Sequence, residues 1–599
     1  MATMRVMKQR TFNERNGWFV ATARCCCAAR QSTSTTLRSA PSTDCVSPCQ
    51  STMPTTLPPS IFNDVVGPVM RGPSSSHSAA SVRIGRIARD LSGGTPEEVL
   101  VEFDTEGSLA TTHESQGSDI GLFAGLLGWE ADDERLPRSA AALADAGVSL
   151  EIRIATLHDP HPNTYRLTLR RGGVEHKLVA LSTGGGMIEV VSIDGAKVTL
   201  YGDYAVTVLD TRDDGRSTAA LLEARLDVDA VQLTGARPTS VIVCAQRFLS
   251  DAEIAALPMV TRARRLDRVL PVRSRRGLTV PFLHAGEMVQ QADPASRKLS
   301  DFALEYECAR GAIAADEVFA QMRRILEVVR GGVRIGLAGT EYADRILPRQ
   351  SHRFAAMLEQ KQLLDGGLLN RAILYVTALM EVKSSMGVFV AAPTAGSCGT
   401  FPGTCLAAAE SLASDEETML RAMLAGGLIG VFVATRSSFA AEVGGCQAET
   451  GAGAAMAAAA LVELAGGNAA QALSASSHAL QNVLGLVCDP VANRVEAPCL
   501  GRNIAGAANA LACANIALAG YDHLIPLDEV LDAHRQISEN MARELRCTAL
   551  GGLSITPTSK AIEAKLCGSC GSGGCGSSSV SGGSRPVALR IGNTPWVSR

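Results

Sequence analysis

From Leu283 to about Leu566 the chain is rich in Ala and Gly and carries almost no strand signal, and this long stretch limits the possible folds most strongly. Small side chains suit close helix packing, so an all-α domain is expected there. Apolar residues make up 46% of the sequence but aromatics only 4%, so bulky rings contribute little to the core. At 599 residues the chain exceeds one ordinary domain, and two or three separately cored units are expected. A net charge of -4 spread over this length gives no broad electropositive field for nucleic acid, which leaves a small molecule as the default partner. The stretch from Asn503 to Tyr521 has no Asp, Glu, Lys or Arg, yet its asparagines fit a helix buried in protein better than one facing lipid, so no membrane partner is expected.

The composition divides the rest of the chain. Residues 1–58 hold seven Lys/Arg against Glu14 and Asp44, with many Ser and Thr, the composition of a segment targeted to the mitochondrion or another organelle matrix. An untargeted extension on a cytoplasmic protein is the alternative. Residues 59–200 alternate Val/Ile-rich strands with helical patterns such as Asp119 to Leu127, and read as an α/β domain. Residues 201–273 follow a β-α-β-β-α-β order: strand Tyr204 to Leu209, helix Ser217 to Arg225, strands Ala230 to Leu233 and Ser240 to Ala245, helix Ser250 to Leu257, and a last strand near Leu266 to Val272. That order suits a small ferredoxin-type α+β unit. Residues 274–282 read as a linker, 283–566 as the all-α domain, and 567–599 as a low-complexity Gly/Ser/Cys tail.

Seventeen cysteines scattered through so large a chain favour metal, cluster or thiol chemistry over a disulfide scaffold. Cys446, Cys488 and Cys499 stand out because Gly or Pro lies beside each sulfur, and their spacings match no zinc-ribbon pattern. Thiolates are the ligands of iron-sulfur clusters, and three of them on a four-iron cluster leave one iron open to act as a Lewis acid. Spacing alone leaves open that these are small buried hydrophobes. Gly72-Pro-Ser-Ser-Ser-His77-Ser78 groups hydroxyls with an imidazole, fit to bind a carboxylate and move a proton, although Ser75 or Ser76 can equally cap the following helix. Thr394-Ala-Gly396-Ser397 has the character of an anion cradle.

Gly-Cys446-Gln-Ala-Glu-Thr-Gly, Cys488-Asp-Pro-Val, Pro-Cys499-Leu-Gly-Arg502-Asn503, Ala392-Pro-Thr-Ala-Gly-Ser-Cys-Gly399 and Leu550-Gly-Gly-Leu-Ser resemble the alpha region of the bacterial iron-sulfur L-serine dehydratases. Gly72-Pro-Ser-Ser-Ser-His77, Gly107-Ser-Leu-Ala, Gly117-Ser-Asp119, His161-Pro-Asn163 and Ser182-Thr-Gly-Gly-Gly186 resemble the beta region of that family, placed ahead of alpha in one chain. The resemblance implies a multidomain fold: an N-terminal α/β domain, an ACT-like regulatory unit that mediates a homodimer, and an all-α catalytic domain. It implies L-serine as substrate, pyruvate and ammonia as products, and a 4Fe-4S cluster on Cys446, Cys488 and Cys499. His77, Ser76 and Ser78 are the implied catalytic residues. Ser75, Gln116, Asp119, His161, Asn163, Thr394, Gly396, Ser397, Arg502 and Asn503 are the implied substrate-binding set.

One departure bears on the chemistry. The family commonly has histidine where this chain has Gln116, and glutamine cannot exchange protons near neutrality. His113 lies three residues before Gln116, too early for a simple replacement, and Ser78 stands where threonine is frequent. Three rival readings follow: a pyridoxal-dependent dehydratase using the Ser182 to Gly186 loop, a cluster-dependent cysteine desulfidase, and an inactive iron-sulfur sensor of an amino acid.

Overall fold

The computed structural model describes residues 57–235, 239–257, 259–342, 345–569 and 588–591. The leader lies outside this range except for its last two residues, as do Cys570 and Cys575 of the tail. An α/β region with its sheets precedes a helical C-terminal region.

The first described residues run into the C-terminal domain. Ser60 accepts from the backbone N–H groups of Phe62 (3.1 Å) and Asn63 (3.3 Å), which starts the turn Ile61–Val65. Ile61, Phe62, Val65 and Val66 then bury in the helical core, facing helix Glu416–Arg436. Glycines make the room, since a Cβ at Gly430 would lie 2.1 Å from Val65. Strand Val69–Met70 pairs antiparallel with Phe389–Val390, so the two regions also share backbone hydrogen bonds.

Beyond this point the α/β unit forms. Its sheet has seven strands in the order Ala588–Ile591, Ser149–Ala155, Glu98–Asp104, Thr164–Arg171, Val174–Gly184, Met187–Ile193 and Ala196–Leu200. Only the Glu98–Asp104 and Ser149–Ala155 pair is parallel. The edge strand Ala588–Ile591 comes from the segment read as a low-complexity tail; its short Val-Ala-Leu-Arg-Ile run carried a strand signal that the Gly/Ser surroundings hid. Helices Ala80–Leu91 and Ser118–Leu126 lie in close contact, because Gly85 meets Gly125 backbone to backbone and Gly121 sits against Ser78 and Ser81.

The next unit has the expected β-α-β-β-α-β order: Ala205–Thr211, Arg216–Glu223, Val228–Leu233, Ser240–Ala245, Asp251–Ala255 and Val260–Leu266. Its antiparallel strands lie in the ferredoxin-like spatial order, last, first, third, second. The last strand begins six residues before the expected Leu266. Its four-residue run of three arginines, Arg262, Arg264 and Arg265, obscures the alternation, and Arg264 is itself buried through ion pairs with Asp210 and Asp194.

The C-terminal domain is helical around a core of Ala, Leu, Val and Met. Helix Glu416–Arg436 is long and apolar enough to cross a membrane, but most of it is buried against Ala452–Leu464 and neighbouring helices. Helix Cys499–Leu518, which carries the Asn503 to Tyr521 stretch, buries the face that includes Asn503, Ala507, Ala510 and Cys513.

A Cβ at Gly125 would sit 2.2 Å from the Val82 carbonyl oxygen, so Gly125→Ala is expected to push the two helices apart. Overpacking of this kind costs about 1–3 kcal/mol, seen as a lowered unfolding midpoint.

Candidate active site between the two regions

The hydroxyl-rich segment after Gly72 is not a simple helix cap. Ser75–Ala79 forms one wide turn ahead of helix Ala80–Leu91, and no serine side chain caps either start. The hydroxyls reach across to the helical domain instead. Ser75 Oγ accepts from the Ala395 backbone N–H at 3.2 Å, and Ser76 Oγ donates to Glu442 Oε1 at 2.5 Å.

His77 is fully buried beside this contact. Thr112 donates its hydroxyl hydrogen to the Ser108 carbonyl (2.7 Å), so its oxygen accepts from His77 Nε2 at 2.7 Å. This assigns the ring proton to Nε2 and leaves Nδ1 as the bare nitrogen. Nδ1 faces Ser74 Oγ (3.0 Å), Ser76 Oγ (3.2 Å) and Glu442 Oε1 (3.4 Å). Burial, only partly offset by Glu442, holds the His77 pKa below the ordinary 6.5, so the ring is neutral and competent as a base near neutrality.

A group of thiols lies in the helical domain. Cys446 follows the short helix Ala441–Gly444, and the left-handed Gly445 turns it inward. The ligand atoms of Cys446, Cys488 and Glu449 lie within 4.8 Å of one another. Cys499 opens helix Cys499–Leu518, and it is near enough to Cys446 to feel its charge. All of these thiols are buried and free of disulfides. Hydrogen bonding from Cys488, opposed by burial and aided by Arg502, lowers the Cys446 pKa to about 7, while its partner Cys488 is pushed up. Buried, close-set thiols with a guanidinium to stabilise thiolate charge form a donor set suited to an iron-sulfur cluster.

The Thr394 loop sits over Glu449. Thr394 Oγ1 donates to Glu449 Oε1 at 2.7 Å and lies 3.1 Å from Ser397 Oγ. A Cβ on Gly396 would come within 2.7 Å of the same carboxylate, which explains glycine there. Burial, then the nearby Cys446, pushes the Glu449 pKa up to about 8. Asn503 braces the loop: its Oδ1 accepts from Gly399 N (3.2 Å), Thr400 N (3.0 Å) and Thr400 Oγ1 (2.8 Å), and its Nδ2 donates to the Gly396 (2.7 Å) and Cys499 (2.8 Å) carbonyls.

The structure therefore brings Ser75, Ser76, His77, Thr394, Gly396 and Ser397 to the junction of the two regions, with the thiols beside them. Other expected residues take different places. Asn503 has its amide fully occupied by the loop. Arg502 contacts Cys446 Sγ (3.3 Å), the Val487 carbonyl (2.8 Å) and Asp489 Oδ1 (2.6 Å), so its guanidinium serves the thiols. Ser78 donates to the Gln116 carbonyl at 3.2 Å, away from the His77 network. Asp119 binds His113 Nδ1 at 2.9 Å, so His113 is occupied and does not stand in for Gln116. His161 accepts the Asn163 backbone N–H on Nδ1 at 3.2 Å, and Glu442 influences its charge. Asn163 is fully buried and accepts from Ser108 Oγ.

Sequence reasoning missed Glu442, Glu449 and Cys547. Between Arg436 and Asp489 the only Asp, Glu, Lys or Arg residues are Glu442, Glu449 and Glu463, and acids in so uncharged a stretch were an available signal. Cys547 packs with Cys446 and Cys488 through a backbone pairing, Cys488 N to the Leu545 carbonyl (2.8 Å) and Cys547 N to the Cys488 carbonyl (3.0 Å). Gln116 Nε2 reaches Cys547 Sγ at 3.3 Å and Asn493 Oδ1 at 3.1 Å.

A buried imidazole from one region set against a carboxylate of another, four residues from a group of buried thiols, makes a candidate active site at the junction of the two regions. Residues 275–554 match the serine dehydratase alpha chain family. A probable L-serine dehydratase alpha chain of Bacillus subtilis (strain 168) is 39% identical over 287 residues, 48% of this chain and 96% of the relative. The probable beta chain from the same organism is 39% identical over 155 residues, 26% of this chain and 69% of the relative. An L-serine dehydratase of Mycobacterium bovis is 26% identical over 517 residues, covering 82% of this chain and 97% of the relative. The chain belongs to the serine dehydratase family, with beta-like and alpha-like regions joined in one polypeptide.

Asn503→Ala would leave the buried N–H groups of Gly399 and Thr400 without their acceptor. A loss of about 1–3 kcal/mol is expected for each such group left unpaired, with a lowered unfolding midpoint accompanying lost activity.

Proposed function

We propose that the protein is an L-serine ammonia-lyase that dehydrates L-serine to aminoacrylate, which then yields pyruvate and ammonia, with a 4Fe-4S cluster on Cys446, Cys488 and Cys499. The observation that carries the reading is a neutral buried imidazole, His77, held 3.4 Å from Glu442, the carboxylate four residues ahead of Cys446 and the group of buried thiols that Arg502 contacts. When bound on three cysteines, such a cluster supplies a Lewis-acidic iron that eases departure of the serine hydroxyl.

The chain's own residues supply the rest. His77 takes the α-proton on Nδ1, the nitrogen left bare by the Thr112 contact. Ser74, 3.0 Å from that nitrogen, is the hydroxyl able to donate to it and set the ring, while Ser76 gives its hydrogen to Glu442 alongside. Ser397 offers its hydroxyl to the substrate carboxylate, while Thr394 beside it holds Glu449. Burial of Ser76, His77 and Ser397 keeps bulk water from the reacting carbon.

The ferredoxin-like unit is read as an ACT-type module that binds an amino acid and joins two chains, which sedimentation with and without serine tests. The basic segment 1–58 is read as a signal for the mitochondrion or another organelle matrix, tested by its fusion to a fluorescent protein.

Anaerobically purified, iron-reconstituted protein is expected to form pyruvate from serine faster than it turns over threonine or cysteine. Faster turnover of cysteine would make it a desulfidase, and an intact cluster without turnover would make it a sensor. Ala in place of Cys446, Cys488 or Cys499 should abolish iron content and visible absorbance, while Cys398→Ala, whose thiol faces Met380, should retain both. His77→Gln is expected to lower kcat by about 10²–10⁴-fold. Because burial lowers the His77 pKa, the base stays neutral into mild acid, so kcat/KM should decline only below pH 6.5.

A further inference from the structure

Glu442 is 4% exposed, and its two carboxylate oxygens differ in their surroundings. Oε1 accepts from Ser76 and lies 3.4 Å from His77 Nδ1. Oε2 is buried and has no hydrogen-bond partner among the described residues. The cations beside the neighbouring Cys446 and Glu449 are engaged elsewhere: Arg502 with Asp489 and Cys446, and Lys383 with the Val495 carbonyl. His77 and His161 both have lowered pKa values through burial and bring no fixed positive charge. A buried carboxylate without a cation is costly, so this one awaits a positive group.

A complementary vacancy in hydrogen bonding lies close by in the structure. Asn163 Nδ2 is buried and also lacks a partner among the described residues. Asn163 and Ser76 share a neighbour, Ser182, whose N–H donates to the Asn163 carbonyl (3.0 Å) and whose hydroxyl donates to the Ser76 carbonyl (2.7 Å). An open acceptor on Glu442 and an open donor on Asn163 match the ammonium and carboxylate of an α-amino acid zwitterion. We propose that Glu442 receives the α-ammonium group of the substrate through Oε2, making it the residue that distinguishes an amino acid from the corresponding hydroxy acid.

This assignment rests on serine as the substrate, and the test separates the two claims. Reconstituted wild type, Glu442→Gln and Glu442→Asp are compared for KM and kcat with L-serine and for inhibition by 3-hydroxypropanoate, which keeps the hydroxyl and carboxylate but lacks the ammonium. Anaerobic calorimetry measures serine binding directly. Glu442→Gln should raise the serine KM and dissociation constant at least tenfold while changing the 3-hydroxypropanoate inhibition constant less than twofold, with Glu442→Asp between wild type and Gln. Equal weakening of both ligands, or a fall in kcat with unchanged serine binding, would overturn the proposal and leave Glu442 as a positioning residue for Ser76 and His77. If Glu442→Gln does not fold, the Asp variant carries the same comparison. A wild type that neither binds nor turns over serine would overturn the serine reading itself.

Discussion

The hydrogen bond from Ser76 to Glu442 spans 366 positions of sequence, and the chemistry of the site depends on it. It brings the hydroxyl-imidazole segment of the α/β region to the carboxylate just ahead of Cys446. A hydrogen bond to a charged group contributes about 1.5–3 kcal/mol net, so it alone does not hold the regions together. Burial of Ile61, Phe62, Val65 and Val66 in the helical core and the Val69–Met70 pairing with Phe389–Val390 supply the attachment. The polar contact then sets the orientation that apolar packing leaves loosely defined.

The helical domain is suited to this arrangement because it carries so little charge of its own. In a region dominated by Ala, Gly, Leu and Val, the few acids near Cys446 act in surroundings that water screens poorly. Glu449 is raised to about 8 and Cys446 lowered to about 7 within a few ångströms of each other. Arg502, tied to Asp489, places its positive charge where thiolate charge gathers. Small residues serve both ends, allowing helices to approach and leaving space for the carboxylate beneath Gly396.

Gln116 takes a different meaning in three dimensions. As a replacement for histidine it suggested lost proton chemistry, yet its amide bridges Cys547 and Asn493 and thereby ties the α/β region to the thiol-bearing one. His113, the apparent substitute, is committed to Asp119. His77, to which the proposed function gives the proton, owes its tautomer to Thr112, a residue with no motif to mark it.

The sequence by itself determined the order of domains, the helical character after Leu283, the β-α-β-β-α-β unit and the motifs that face one another at the site. These are local properties, written in periodicity, glycine and proline placement, and the resemblance of contiguous segments. The strand Val260–Leu266 and the edge strand Ala588–Ile591 were harder to read, because a buried arginine and a Gly/Ser setting disguise them. Only the tertiary structure decided that Arg502 and Asn503 support the thiols and the Thr394 loop, that Ser78 faces away, and that Cys547 joins Cys446 and Cys488. The pairing of Glu442 with Ser76 and His77 was equally invisible, since which buried polar atoms find partners is settled by elements hundreds of residues apart when they pack.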